Sequence, residues 1–150
     1  MKEQLLSVQT ISTDKELKIF HSQTLSMSPA YPLFLKGVAF LIENKFVDSS
    51  INWSDDSHGA VYATVDNVVV AQLVYQKNNS LLFTIVEGYV APEFRRLGIY
   101  TLLNSHLEDV ARQLKCYAIG ISVHVDNSVG VELSKKIGFN PISYKMRKVL

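Results

Sequence analysis

A mixed α/β fold, with a twisted and mostly antiparallel central sheet and helices on both faces, is what this sequence predicts. Three observations carry it. Residues 60–90 read as three strands separated by two turns, an antiparallel meander. The third strand runs through a basic, glycine-containing loop into an amphipathic helix. That helix is followed by a β-rich run, Ala118 to Val125, which completes a βαβ crossover. A meander joined to a crossover gives a mixed sheet, not a doubly wound one.

Taken in order, Leu5 to Ile11 reads as a first strand. Thr13-Asp14-Lys15-Glu16 has the spacing of a capping box and predicts a first helix running to about His21. Ser26 to Pro32 holds two prolines and reads as a loop. A second helix starts at Pro32, which suits a first helical position, and ends between Asn44 and Val47. Leu33, Phe34, Val38, Phe40, Leu41 and Ile42 give it a broad apolar face. Asp48 to Gly59 is a polar loop carrying Trp53. Ala60–Val65 and Val68–Gln76 flank Asp66-Asn67, a two-residue hairpin signal. Lys77 to Ser80 is the next turn, leading into Leu81–Val90. Helix Leu97–Leu114 carries Ile99, Leu102, Leu103, Leu107, Val110 and Leu114 on one stripe. Asn127–Ile137 reads as a last helix stopped by Gly138, and Pro141–Leu150 as a strand closing the sheet.

The 150 residues fit one domain, with no repeat, linker or low-complexity tract. Apolar residues make up 47% and charged ones 19%, the balance of a packed globule and not of a disordered chain. No apolar run is long enough to cross a bilayer, and the first residues lack a signal-peptide pattern, so a cytoplasmic location without membrane partners is expected. A single cysteine, Cys116, excludes an internal disulfide. Residues 1–90 carry six Lys/Arg against nine Asp/Glu, and residues 91–150 carry nine against five. That modest C-terminal excess suits a polyanionic small molecule and is too weak for nucleic acid. His58 follows Asp55-Asp56-Ser57, but without a second ligand cluster no metal site is expected.

The segment Val90-Ala91-Pro92-Glu93-Phe94-Arg95-Arg96-Leu97-Gly98-Ile99-Tyr100 is the most informative. The first amides of a helix have no partner within it, and the helix dipole adds positive potential there. A glycine lets the backbone approach an anion closely, so a phosphate or diphosphate is the natural occupant. Neither a Walker A pattern nor Gly-x-Gly-x-x-Gly occurs, which disfavours nucleoside triphosphates and dinucleotides.

These residues resemble the GNAT superfamily of N-acetyltransferases, whose central motif is [Arg/Gln]-x-x-Gly-x-[Gly/Ala]. Arg95 and Gly98 match its first and fourth positions, while Tyr100 stands at the sixth. Tyr89 to Phe94 resembles the family's approach to the loop, and Asn127 through Gly138-Phe139 its last helix. The resemblance covers about residues 81–141 and implies acetyl-coenzyme A as cosubstrate with an amine as acceptor. It assigns the diphosphate to the backbone of Arg95, Arg96, Leu97, Gly98, Ile99, Tyr100 and Thr101. It also assigns the pantetheine arm to main-chain groups near Tyr89 and Val90, in a gap between the strands Leu81–Val90 and Ala118–Val125. Asn127 joins the cofactor-binding set as the start of the family's last helix. Tyr100 is expected to turn its ring away from the phosphates.

Acetyl transfer to an alkyl amine needs a base, because such an amine is mostly protonated at neutral pH. Glu87, the acidic residue of the strand before the loop, is the first candidate, although the family's acid often lies one position earlier, where this chain has Val86. His124 on the facing strand is the second. The family's thiolate-protonating tyrosine maps to Ser134, and Tyr144 on the final strand is the alternative donor. The resemblance thus implies direct transfer to a primary amine of a small molecule or protein. The rival readings are a cofactor-binding sensor with little chemistry and a homodimer subunit with lost activity.

Overall fold

The computed structural model describes residues 3–11, 14–47, 57–78 and 81–150. Six strands form one sheet in sequential order: β1 (Gln4–Thr10), β2 (Glu16–Ser22), β3 (His58–Val65), β4 (Val68–Asn78), β5 (Leu82–Val90) and β6 (Ala118–Ile121). The first five are antiparallel to their neighbours, and β6 lies parallel to β5. Three helices complete the chain: α1 (Tyr31–Glu43), α2 (Ile99–Gln113) and α3 (Ser128–Lys136). The mixed, mostly antiparallel sheet is therefore as expected.

Where a helix was expected up to His21, the chain instead forms β2. Its burial alternates: Leu17, Ile19 and His21 are buried, whereas Glu16, Lys18 and Phe20 are more open. That period of two outweighs a four-residue capping signal, and it lets β2 pair with both β1 and β3. Asp14, at φ +59°, and the Ile11 N–H donating to Lys15 O turn the chain between β1 and β2. Thr13 and the loop tryptophan, Trp53, lie outside the described residues.

At the β3–β4 hairpin, Asp66 and Asn67 have φ of +51° and +62°. Positive φ at both central residues is what a type I′ turn requires, and Asp and Asn tolerate it. The sheet then separates two apolar layers. One face holds α2, with Ile99, Leu103, Leu107 and Val110 packed on Leu73, Tyr75, Phe83 and Ile85. The other holds α1, with Phe34 and Val38 near Tyr62 and Val74. α2 is shorter than the predicted Leu97–Leu114, and Leu114, expected on its apolar stripe, is exposed beyond its end. The buried face of α1 is also narrower than predicted, for Phe40 and Ile42 are exposed. β6 stops at Ile121 and not Val125. Residues 141–150, expected as a closing strand, join no ladder and are exposed throughout.

Candidate active site

β5 runs nine residues, but β6 pairs only with its first four, ending at Ile85↔Ile121. Residues 86–90 of β5 therefore have no strand on that side, and the sheet opens into a gap. The Ala91 N–H donates to Val70 O (2.8 Å), and Tyr89 is in register with Gln72. Antiparallel alternation then turns the main-chain groups of Tyr89 toward β4 and those of Gly88 and Val90 toward the gap. Gly88, which the sequence reading did not single out, thus presents its main-chain groups to the gap. The Val90 carbonyl already accepts a hydrogen bond from Arg95 Nε (2.8 Å), and the Arg95 guanidinium lies 5.5 Å from the Tyr89 ring centroid. Arg95 braces the exit of β5, and its amide is also used, donating to Pro92 O.

Beyond Arg95 the loop is open. Arg96 and Gly98 have φ of +61° and +76°, and the first backbone bond within α2 runs from the Leu102 N–H to Gly98 O. The amides of Arg96, Leu97, Gly98, Ile99, Tyr100 and Thr101 have no acceptor among the described residues. A Cβ on Gly98 would meet nothing within 4 Å, so glycine is selected here by its left-handed backbone and not by crowding. Consecutive free amides in alternating conformation make an anion nest at a helix N-terminus. Ile99 anchors the first turn in the core, and the side chains of Arg96 and Thr101 are exposed beside the nest. A cleft of about 350 Å³ runs past this point, with Leu97, Gly98 and Thr101 on one wall and Gln9 and Ile11 on the other.

Tyr100, the departure from the motif, turns its ring inward against β5. A Cβ on Gly88 would lie 2.6 Å from Tyr100 Cε2 and 2.7 Å from Leu73 Cδ2, so Gly88 makes the room the ring occupies. Burial, with the nearby Glu87 carboxyl, pushes the phenol up to about 12, which keeps it protonated.

Glu87 is buried, at 3% exposure, on the face of β5 toward α1. The register shifts there, from Val74↔Glu87 to Tyr75↔Ile85, so Val86 is the extra residue of a β-bulge. At the bulge, Val86 packs into the α1-side layer and Glu87 points to the same side, beneath Gly37. Gln72 Nε2 donates to both carboxylate oxygens, at 2.9 and 3.2 Å. Burial raises the carboxyl to about 8, against the opposing effect of the Gln72 bonds. Gln72, fully buried and with no partner for its Oε1 among the described residues, is a second residue that the sequence reading did not single out. A lone amide inside the apolar run of β4 was the available signal, since a buried polar group needs a partner.

The other sequence candidates sit apart from this pair. His124 falls in the turn after β6; its Nδ1 accepts from the Asp126 N–H (3.2 Å), its ring lies 5.7 Å from Phe46, and no hydrogen bond joins it to Glu87. Tyr144 lies in the exposed C-terminal segment and is not brought to the gap by its own chain. Asn127 caps α3, its Oδ1 accepting from the Gly130 N–H. The Ser134 hydroxyl is spent on Gly130 O at 2.7 Å. No cluster of potential metal ligands occurs among the described residues.

An acetyltransferase (GNAT) family model matches residues 24–139. The chain belongs to that family. The match takes in the gap, the bulge, the nest and α3, and it makes the protein a GNAT-type acetyltransferase. Solved structures agree on the fold. An aminoglycoside acetyltransferase, meta-AAC0020, from an uncultured soil metagenomic sample and in complex with sisomicin, superposes at TM-score 0.68 with 12% identity over 89% of this chain and 96% of its own. Aminoglycoside N-acetyltransferase AAC(6')-Iy in complex with CoA gives 0.65, with 13% identity over 93% and 98%. Ribosomal-protein-alanine N-acetyltransferase from Brucella melitensis biovar Abortus 2308 gives 0.64, with 16% identity over 88% and 99%. The expected GNAT fold is therefore present. No helix among the described residues is long and apolar enough to cross a membrane.

Proposed function

We propose that this GNAT chain transfers acetyl from acetyl-coenzyme A directly to a primary amine, with Glu87 as the proton acceptor. The observation that carries the reading is the alignment of three features along β5: an unpaired edge, a buried carboxyl at the bulge, and a nest of six free amides just beyond. The nest takes the diphosphate, with Arg96 and Thr101 beside it. Main-chain groups of Gly88 and Val90 hold the pantetheine arm, and the cosubstrate supplies an activated thioester. Glu87, carrying a proton affinity near neutrality, removes the amine proton through water, because it is too enclosed for direct contact. Gln72 holds that carboxyl in one orientation.

The acceptor is a small amine or a protein amine, and its pocket is built from the Ser26–Pro32 loop and α1, whose exposed Tyr31, Leu35 and Phe40 offer apolar surface. The bound aminoglycoside of one relative and the protein substrate named for another are both consistent with an amine acceptor. Release of free thiol from acetyl-coenzyme A across an amine panel tests the reading. Turnover that falls at least tenfold in Glu87→Gln supports it; turnover unchanged in that variant refutes the role of Glu87. A second reading, a cofactor-binding module with little chemistry, is favoured by one observation: the Ser134 hydroxyl is committed to its own helix. Tight cofactor binding with no thiol release from any amine would select it.

A further inference from the structure

We propose that the Tyr100 hydroxyl donates a hydrogen bond to the sulfur that leaves in acetyl transfer; this rests on the reading of the chain as a direct transferase. The gap beside residues 86–90 of β5 has two sides. Glu87 lies on the α1 side and Tyr100 on the α2 side, with the main chain of Gly88 between them. The Tyr100 ring lies along Gly88: a Cβ there would be 2.6 Å from Cε2 and 3.1 Å from the hydroxyl oxygen. Gly88 also turns its main-chain groups to the gap, where the thioester would lie. The hydroxyl therefore stands beside the stretch of β5 that would hold the reacting bond.

That hydroxyl has no hydrogen-bond partner among the described residues, yet it is not sealed in. The enclosed side-chain polar atoms without a partner there are Gln72 Oε1 and Asn104 Oδ1. An unpartnered hydroxyl that is not enclosed reaches open space, and the open space next to Gly88 is the gap. The rest of α2 agrees. Tyr100, Asn104 and Glu108 are spaced four apart and share one stripe, with Asn104 Nδ2 donating to Glu108 Oε1 (2.9 Å). Glu108 lines a groove beside β6 with Ile119, Ile137 and Phe139, so the stripe faces β6 and the end of α3. Other hydroxyls are spent or distant: Ser134 donates to Gly130 O, and Tyr144 is exposed. The amine attacks from the Glu87 side. Its nitrogen bonds to the carbonyl carbon, the C–S bond breaks, and the electron pair goes to sulfur, from which the arm continues toward the nest. A phenol that stays protonated up to about 12 is a donor throughout the working range, and an enclosed setting strengthens its bond to the developing charge. The proton that Glu87 takes from nitrogen passes to water, and sulfur takes one from water, so atoms and charge balance.

Tyr100→Phe keeps the ring that fills the space over Gly88 and every amide of the nest. Its kcat should fall at least tenfold, while KM for acetyl-coenzyme A changes less than twofold and a cooperative melt is retained. A second measurement needs no turnover. Calorimetry at pH about 9, where a thiol ionises, compares coenzyme A with desulfo-coenzyme A, which lacks the sulfur. The unaltered chain should prefer coenzyme A at least fivefold, and Tyr100→Phe should lose that preference while binding desulfo-coenzyme A as before. An unchanged kcat in the folded variant overturns the proposal. So does equal affinity of the unaltered chain for the two ligands, a result that does not depend on the variant's folding. Absence of turnover with every amine, alongside a preference for coenzyme A that Tyr100→Phe removes, would strike the transferase reading and still support the contact between hydroxyl and sulfur.

Discussion

Replacing Glu87 by Gln should change how stability depends on pH, and by an amount the structure sets. Burial lifts the carboxyl from 4.5 to about 8. The folded chain therefore keeps a proton that the unfolded chain releases above pH 4.5. The stability that proton contributes is complete below 4.5 and is lost as pH rises through about 8. At about 1.4 kcal/mol per pH unit, the loss across that window is at most about 5 kcal/mol. Relaxation and water around the ionised carboxylate reduce this, and about 2 kcal/mol is a reasonable lower figure. His21 acts in the opposite sense at lower pH. Burial, with the charge of Lys77, lowers its pKa, so protonating it as pH falls below 6.5 costs stability. That effect is common to both proteins and cancels in their difference. Urea denaturation of wild type and Glu87→Gln, at several pH values from about 5 to about 8, gives the difference directly. Wild type should lose ground to the variant by about 2–3.5 kcal/mol over that interval. A difference independent of pH would refute the assignment of a buried, neutral carboxyl at the bulge.

Other outcomes follow from the same contacts. A Cβ at Gly37 would run into the Glu87 carboxylate, so Gly37→Ala should cost about 1–3 kcal/mol, and Glu87→Ala in the same chain should recover part of it in a double-mutant cycle. Gly98→Ala meets no atom of the protein but strains a φ of +76°; a loss of about 1–2 kcal/mol is expected in thermal melts, with weaker coenzyme A binding by calorimetry. Acetyl-coenzyme A at a hundred times its dissociation constant should stabilise the fold by about 2.7 kcal/mol, read as a rise in melting temperature. No rise at saturating cosubstrate would count against the cofactor site. For catalysis, kcat/KM should rise with pH through about 8 in wild type as Glu87 ionises, and Glu87→Gln should lose that limb.

The legible parts of this chain were those whose signal is local. The stripe on α2 repeats over four turns, and Asp66-Asn67 names its own turn type. The nest was readable because strand, basic loop, glycine and helix follow one another without interruption. β2 was misread because Thr13 to Glu16 mimics a helix start, while its partners β1 and β3 are a hairpin and a long connection away. The bulge at Val86 is a property of the β4–β5 register, and neither strand alone reveals it. For the same reason Gln72, fifteen residues from Glu87, escaped notice. Tyr144 is expected on a closing strand over residues 141–150, yet that segment joins no ladder and leaves Tyr144 exposed.

Titrating isotope-labelled protein with coenzyme A, and following the backbone amides by NMR, probes the diphosphate nest itself. The largest shifts should fall on the amides of Arg96, Leu97, Gly98, Ile99, Tyr100 and Thr101, with smaller ones at Gly88 and Val90. Saturable binding that leaves those six amides unmoved would contradict the account.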